Sequence, residues 1–289
     1  LAALALLICA GSVQAQGISE DAWDSLISYW ELGELGGVRY DSHAGNDLTD
    51  NNTVWYNTDG IIGNAAHIYE DNNEYLNHAD NASLSRADES FTISGWVNPD
   101  IVEAALGDRL IASKGEYDYG DLGNEWMLHM LAGGAGVRFS TSNGSTWTDI
   151  IYTTTLTAYN YYFIAAGYDA ENDRIFISVD GAPPNSEHLA TGTNDRTNEF
   201  EIGGYGDFWG RLDEFAFWGS ALSASDISAL YNSGNGLAYP FGYARPSCGS
   251  SLTDGLISYW KLDEESGVRY DSWGSNHLSD NNTVGYTTT

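Results

Sequence analysis

Gly210-Arg-Leu-Asp-Glu-Phe-Ala-Phe-Trp-Gly-Ser-Ala-Leu-Ser-Ala-Ser-Asp-Ile-Ser-Ala-Leu-Tyr-Asn232 changes its period halfway along. The first half, through Phe215 and Phe217, alternates as a strand does. The second half is helical. Ser223 is placed to cap it, with Asp226 three residues on, where a capping box has glutamate. Ile227, Leu230 and Tyr231 form an i, i+3, i+4 apolar stripe, and Gly234 is placed to end the helix. A strand that hands over to one short helix at the end of a long β-rich stretch gives a two-sheet sandwich with a helical appendix.

Upstream the same β character holds. Phe91-Thr-Ile-Ser-Gly-Trp-Val97 alternates, with Phe91, Ile93, Gly95 and Val97 on one face. Tyr161 to Tyr168 and Arg174 to Val179 read as two strands joined by the polar turn 169–173, with Ile175, Ile177 and Val179 on one face. Ser142-Asn-Gly-Ser145 reads as a hairpin turn between Val137-Arg-Phe-Ser140 and Thr146-Trp-Thr148. The 33 glycines, 19 tyrosines and 10 tryptophans suit a turn-rich β protein. Trp30, Trp96 and Trp218 fall within strands and are expected in the core.

Further out, the end of the chain repeats its beginning. From Leu26 to Tyr56, 21 of 31 positions recur at a constant offset of 230, so that Leu256-Ile-Ser-Tyr-Trp260 restates Leu26-Ile-Ser-Tyr-Trp30. An ungapped ladder of that length marks a duplicated module. The expected organisation is one complete module over residues 24–236, a Gly-, Ser- and Pro-rich linker over 237–253, and the start of a second, closely similar module over 254–289. Further tandem modules are expected in the intact protein. Residues 1–15 read as a secretory signal peptide without its Met and basic front: an apolar run, then Val13 and Ala15 spaced as a cleavage signal. Gln16 to Trp23 reads as a polar leader, and no other apolar run is long enough to span a membrane. Beyond the leader Cys248 is the only cysteine, so no disulfide framework supports the module.

The formal net charge is −30, from 41 Asp+Glu against 11 Lys+Arg. Nucleic acid is excluded as a partner by that field, whereas divalent cations and neutral glycans are compatible with it. A hydrophobic fraction of 42% makes this a folded domain and not an acidic tail.

Three ordered motifs carry a family resemblance. They are the closing stretch 210–232, the central Phe91-Thr-Ile-Ser-Gly-Trp-Val97, and the opening Tyr29-Trp-Glu-Leu32 with Tyr40-Asp-Ser42 and Asn46. Together they resemble laminin-G-like domains of the concanavalin A-like lectin/glucanase superfamily. The resemblance implies an all-β fold, a two-sheet antiparallel jelly-roll sandwich with one short C-terminal helix. It also implies a structural calcium ion (Ca²⁺) where the first hairpin meets the closing strand, with Asp41, Asn46, Glu70 and Asp213 as candidate ligands through their oxygens. The other reading of Asp41 and Asp213 is that they cap turns by accepting backbone N–H groups.

Sugars stack their C–H faces on exposed rings while amides and carboxylates take the hydroxyls. Three stretches have that mixture: Tyr117, Tyr119, Asn124 and Trp126 in a glycine-rich run, Trp147 after the 142–145 turn, and Trp209 after Tyr205-Gly-Asp-Phe208. The alternative for each ring is packing in or around the core. Catalysis is not expected. The Glu-x-Asp-x-x-Glu run of related glucanases is absent, and Asp213 and Glu214, being adjacent on a strand, should face opposite ways. The expectation is a secreted or cell-surface, non-catalytic binding module for a glycan. The alternative is a structural or adhesive cell-surface or phage module that binds protein or no small ligand.

Overall fold

The computed structural model describes residues 17–69, 72–115, 124–188, 192–204 and 208–242, and the single positions Trp260, Val268, Leu278 and Ser279. The chain divides into two units, Leu1–Tyr243 and Ala244–Thr289. The leader 1–15, Cys248 and nearly all of the second repeat lie outside the described residues.

In the first unit the described elements run, in chain order, α1 (Glu20–Asp24), β1 (Leu26–Trp30), β2 (Thr49–Asn51), β3 (Trp55–Asn57), β4 (Ala65–Ile68), β5 (Tyr75–His78), β6 (Phe91–Pro99), β7 (Arg109–Lys114), β8 (Trp126–Met130), β9 (Gly136–Ser142) and β10 (Trp147–Thr153). There follow β11 (Tyr162–Asp169), β12 (Arg174–Val179), β13 (Asn185–His188), β14 (Phe200–Ile202), β15 (Gly210–Trp218) and α2 (Ala224–Tyr231). One sheet has eight strands in the order β13-β12-β11-β6-β15-β4-β3, with β1 also on β15, and the other has seven in the order β10-β9-β8-β7-β14-β5-β2. This is the two-sheet all-β sandwich with one short C-terminal helix that the closing stretch implies.

The core lies between the sheets. Phe91, Ile93 and Val97 of β6 and Ile175, Ile177 and Val179 of β12 all enter it, as their alternation requires. Gly95 belongs to the same face for a steric reason: a Cβ there would lie 2.4 Å from Cδ2 of Phe215. A second apolar layer covers the outer face of the eight-stranded sheet. Trp96, Phe163 and Trp218 pack there under α2 and the segment that follows it.

Ser223 caps α2, its Oγ accepting from Asp226 N at 3.1 Å. The helix closes two residues earlier than Gly234, on Asn232 in the left-handed conformation (φ 47°). The segment read as a polar leader contains α1, capped by Ser19 Oγ accepting from Ala22 N at 3.2 Å. Ile18 and Ala22 are buried, as are Leu230 and Phe241. The packed unit thus extends past residues 24–236 at both ends. Among the described residues no helix is long and apolar enough to cross a membrane.

Candidate functional site

Strand pairing lines up one row of side chains across the outer face of the seven-stranded sheet. Asn77 pairs with Glu201, Glu201 with Ser113, Ser113 with Met127, Met127 with Ser140, and Ser140 with Asp149. Directly paired residues share a face. Their sequence neighbours Leu76, Phe200, Ala112, Leu128, Phe139 and Ile150 fill the core, which fixes this row on the opposite side. Five of the six members are polar, where the same sheet's inner face is mostly apolar and interrupted by Lys114 and Thr141.

The row is organised by hydrogen bonds. Asn77 Nδ2 donates to Glu199 Oε2 at 2.5 Å, and its Oδ1 accepts from Asn51 Nδ2 at 2.7 Å. Ser113 Oγ donates to Gly115 O at 3.0 Å. Ser140 Oγ is buried and finds no partner. The next row pairs His129 with Arg138. Arg138 bonds Asp108 at 2.9 Å. Burial, aided by Arg138, pulls the His129 imidazole down to about 4, so it is neutral at pH 7. Asp149 is exposed on the edge strand β10, and Trp147, half-buried, shares its face two residues earlier.

The sugar-contacting set expected from sequence is not brought together. Trp126 is 1% exposed and packs in the core against Phe91, Phe139 and Phe217. Asn124 is buried as well. Their stretch reads as a loop because of its glycines, but Trp126 opens a strand buried on both faces. Neither side chain is at the surface to meet a sugar. Trp147 lies on the seven-stranded sheet, whereas half-buried Trp209 precedes β15 of the other sheet, its carbonyl accepting from Asp100 N at 3.0 Å. Tyr117 and Tyr119 lie outside the described residues. The polar row itself was missed, and only a correct pairing of all seven strands would have shown it.

Of the expected calcium ligands, Asp41 and Asn46 do meet, but as a turn. Asp41 Oδ1 accepts from Tyr29 N (3.0 Å), His43 N (2.9 Å) and Ala44 N (3.1 Å), and Oδ2 from Asn46 N (3.1 Å). Asn46 Nδ2 donates to Ser28 Oγ at 2.8 Å and its Oδ1 accepts from Asn81 Nδ2 at 2.8 Å. Asp213 binds a different turn, Oδ2 accepting from Ile61 N at 2.7 Å and Ile62 N at 3.2 Å. Its Oδ1 is buried without a partner, and burial pushes its carboxyl up to about 7. Glu70 lies outside the described residues. Among the described residues no three His, Cys, Asp or Glu side chains converge as a metal cage.

Asp213 and Glu214 correct the alternation rule. A β-bulge falls between Asp213 and Ala216, with Glu214 at φ 53°. Asp213 pairs with outer-facing Trp96, and Glu214 lines a small cavity with Trp96, Ala216 and Trp218. Both carboxyls are therefore on the outer side of one sheet. Glu214 Oε2 has no partner, and burial pushes that carboxyl up to about 8. Both are sealed in, so they do not form a pair facing a cleft.

A family model described as the concanavalin A-like lectin/glucanases superfamily, of laminin-G-like type, matches residues 70–228. No curated protein matches the sequence. Among solved structures, domain 4 of AbnA, a GH43 extracellular arabinanase from Geobacillus stearothermophilus, in complex with arabinotriose, is similar. Its TM-score is 0.54 at 18% identity, over 71% of this chain and 97% of that one. The binding domain of botulinum neurotoxin DC in complex with rat synaptotagmin II gives 0.58 at 16%, over 73% of this chain and 52% of that one. Trypanosoma rangeli sialidase in complex with sialic acid gives 0.55 at 15%, over 73% and 33%. At such identities these likenesses establish the fold. This chain spans about half of the neurotoxin domain and a third of the sialidase.

Proposed function

The chain belongs to the laminin-G-like family of the concanavalin A-like lectin/glucanases superfamily, and on that premise we propose that it is a secreted, non-catalytic module that binds a glycan on the outer face of its seven-stranded sheet. The observation that carries this is the row Asn77–Glu201–Ser113–Ser140–Asp149. Its middle members Glu201, Ser113 and Ser140 are buried, and the row reaches the surface at its ends, where half-buried Asn77 supplies an amide and exposed Asp149 a carboxylate beside the Trp147 ring. Such groups match sugar hydroxyls, and an edge ring matches a sugar's C–H face. The arabinotriose-bound arabinanase domain supports a sugar as ligand, and the signal-like residues 1–15 support secretion. The absent Glu-x-Asp-x-x-Glu run and the sealed Asp213 and Glu214 support a non-catalytic role.

The test is a glycan array with the multimerised full chain. A coherent family of bound sugars, lost in Trp147→Ala and Asp149→Ala, is the expected result. A blank array with folded protein would overturn the reading. It would favour the alternative, an adhesive module for a cell-surface protein, which the placement of Trp126 in the core, of Trp147 on the seven-stranded sheet and of Trp209 beside the other also favours.

Calcium stays in the proposal in a narrower form. Asp41 already accepts four N–H groups, so Asp213, with one oxygen unpartnered, is the member of the set with capacity to hold an ion. A native-state ion stabilises by mass action. The melting temperature should fall by several degrees in chelator, and Asp213→Ala should abolish the difference. Identical melts with and without calcium would remove the ion from the account.

A further inference from the structure

The described part of the first unit holds one tryptophan that is exposed outright. Trp55, on edge strand β3, is 56% exposed, while the others there are buried or half-buried. It does not stand alone. Trp55 pairs with His67 of β4, His67 with Arg211 of β15, and Arg211 with Asn98 of β6. The neighbouring row through Ala66, Leu212 and Val97 faces the core, so this row lies on the outer face of the eight-stranded sheet.

Asp100 ties the middle of the row together. Its Oδ2 lies 2.8 Å from His67 Nε2, and its Oδ1 3.3 Å from Arg211 Nη1. The Tyr69 ring packs tilted against His67 with ring centroids 4.2 Å apart. Asn98 is 3% exposed and its Oδ1 finds no partner. Elsewhere this outer face is largely apolar, with the sealed Asp213 and Glu214 and with Ser94 held by the Trp218 indole, and it is roofed by α2. A polar row with a bare indole at its open end departs from that pattern, and packing does not explain why the indole is bare.

We infer that Trp55, with His67, Asp100 and Arg211 at its base, is a second glycan-contacting site, selective for neutral sugars. The indole offers a flat face for the C–H side of a pyranose ring. Arg211, oriented by Asp100, supplies N–H groups to its hydroxyl oxygens, while His67 holds Asp100 in place. The Arg211–Asp100 pair brings no net charge, and the chain carries −30, so an acidic sugar is disfavoured here. The two sites lie on opposite faces of the sandwich, so a single module would bridge two glycan chains.

This inference rests on the glycan reading, and its test separates the two. A neutral oligosaccharide that binds the full chain on the array is titrated into wild type, Trp55→Ala, Trp55→Tyr and Trp147→Ala. Melting curves confirm that each is folded. The expected result is two binding events. Trp55→Ala should weaken one by about tenfold, Trp55→Tyr should restore much of it, and Trp147→Ala should weaken only the other. Binding unchanged in Trp55→Ala but lost in Trp147→Ala would overturn the second site and leave the first standing. Loss in Trp55→Ala alone would leave this site and overturn the other. No binding by folded wild type would overturn both.

Discussion

The two sheets share one core and treat their outer faces in opposite ways. On the eight-stranded sheet, Tyr29, Trp96, Phe163 and Trp218 are roofed by α2 and by Phe241. On the seven-stranded sheet the equivalent row is Asn77, Glu201, Ser113, Ser140 and Asp149, polar but buried in its middle and open only at Asn77 and Asp149. Each face also buries one titratable group that burial keeps neutral, Glu214 on the first and His129 on the second. The contrast teaches that a sheet's inner face reports the fold, whereas its outer face reports what the sheet is for. An apolar outer face needs a roof from the same chain. A polar one is left open here at its ends, at Asn77 and Asp149, where something else can meet it.

The sharpest way to break this comparison is to cut a roofed residue and an open one. Trp218→Ala should cost about 3–5 kcal/mol of unfolding free energy in denaturant melts. Trp147→Ala, at the edge of the polar face, should cost less than about 1 kcal/mol. Equal costs would mean that the polar face is structural too.

Glu214 gives the next largest effect. A carboxyl near 4.5 in the unfolded chain and about 8 in the folded one holds more protons when folded. Stability is then full below about pH 4.5 and falls as pH rises toward 8, by on the order of 4 kcal/mol. Glu214→Gln, which mimics the protonated form, should remove Glu214's share of that slope, leaving the share of Asp213, and leave the variant more stable than wild type at pH 9. An identical pH dependence of stability in wild type and Glu214→Gln would contradict the sealed carboxyl.

His129 works in the other direction. Its folded value of about 4 lies below the ordinary 6.5, so the unfolded state takes the proton first. Stability should fall as pH drops from 6.5 toward 4, by about 3 kcal/mol. His129→Gln should flatten that limb alone, as seen in chemical melts of both proteins at matched pH.

Much of this fold was legible because inward alternation survives in the sequence. Phe91, Ile93 and Val97 and the Ile175 series needed nothing more, and Ser223 with Asp226 was enough to place α2. Legibility fails where both faces of a strand are buried. Trp126–Met130 is covered throughout, so its first residue looks like the end of a loop. It fails again at Asp213 and Glu214, where one bulge shifts the pleat and no local pattern marks it. The two candidate sites are rows perpendicular to the chain, joining residues more than a hundred positions apart. Only the strand order brings Asn77 beside Glu201, or His67 beside Arg211. Asp41 was legible as an important acid. Whether its oxygens meet metal or backbone was open from sequence, and four N–H groups now occupy them.

The two ends of the first unit are fastened to each other. Ser19 N donates to Asp226 Oδ1 at 2.7 Å, Tyr29 and Tyr239 stack with centroids 5.0 Å apart, and a Cβ on Gly17 would lie 2.7 Å from Gly242 O. Tension applied through the chain therefore enters and leaves at one place. It peels that clasp contact by contact, while the strand ladders of both sheets stay out of the line of force. Such a unit would yield early at its clasp and keep the outer faces of both sheets intact under load.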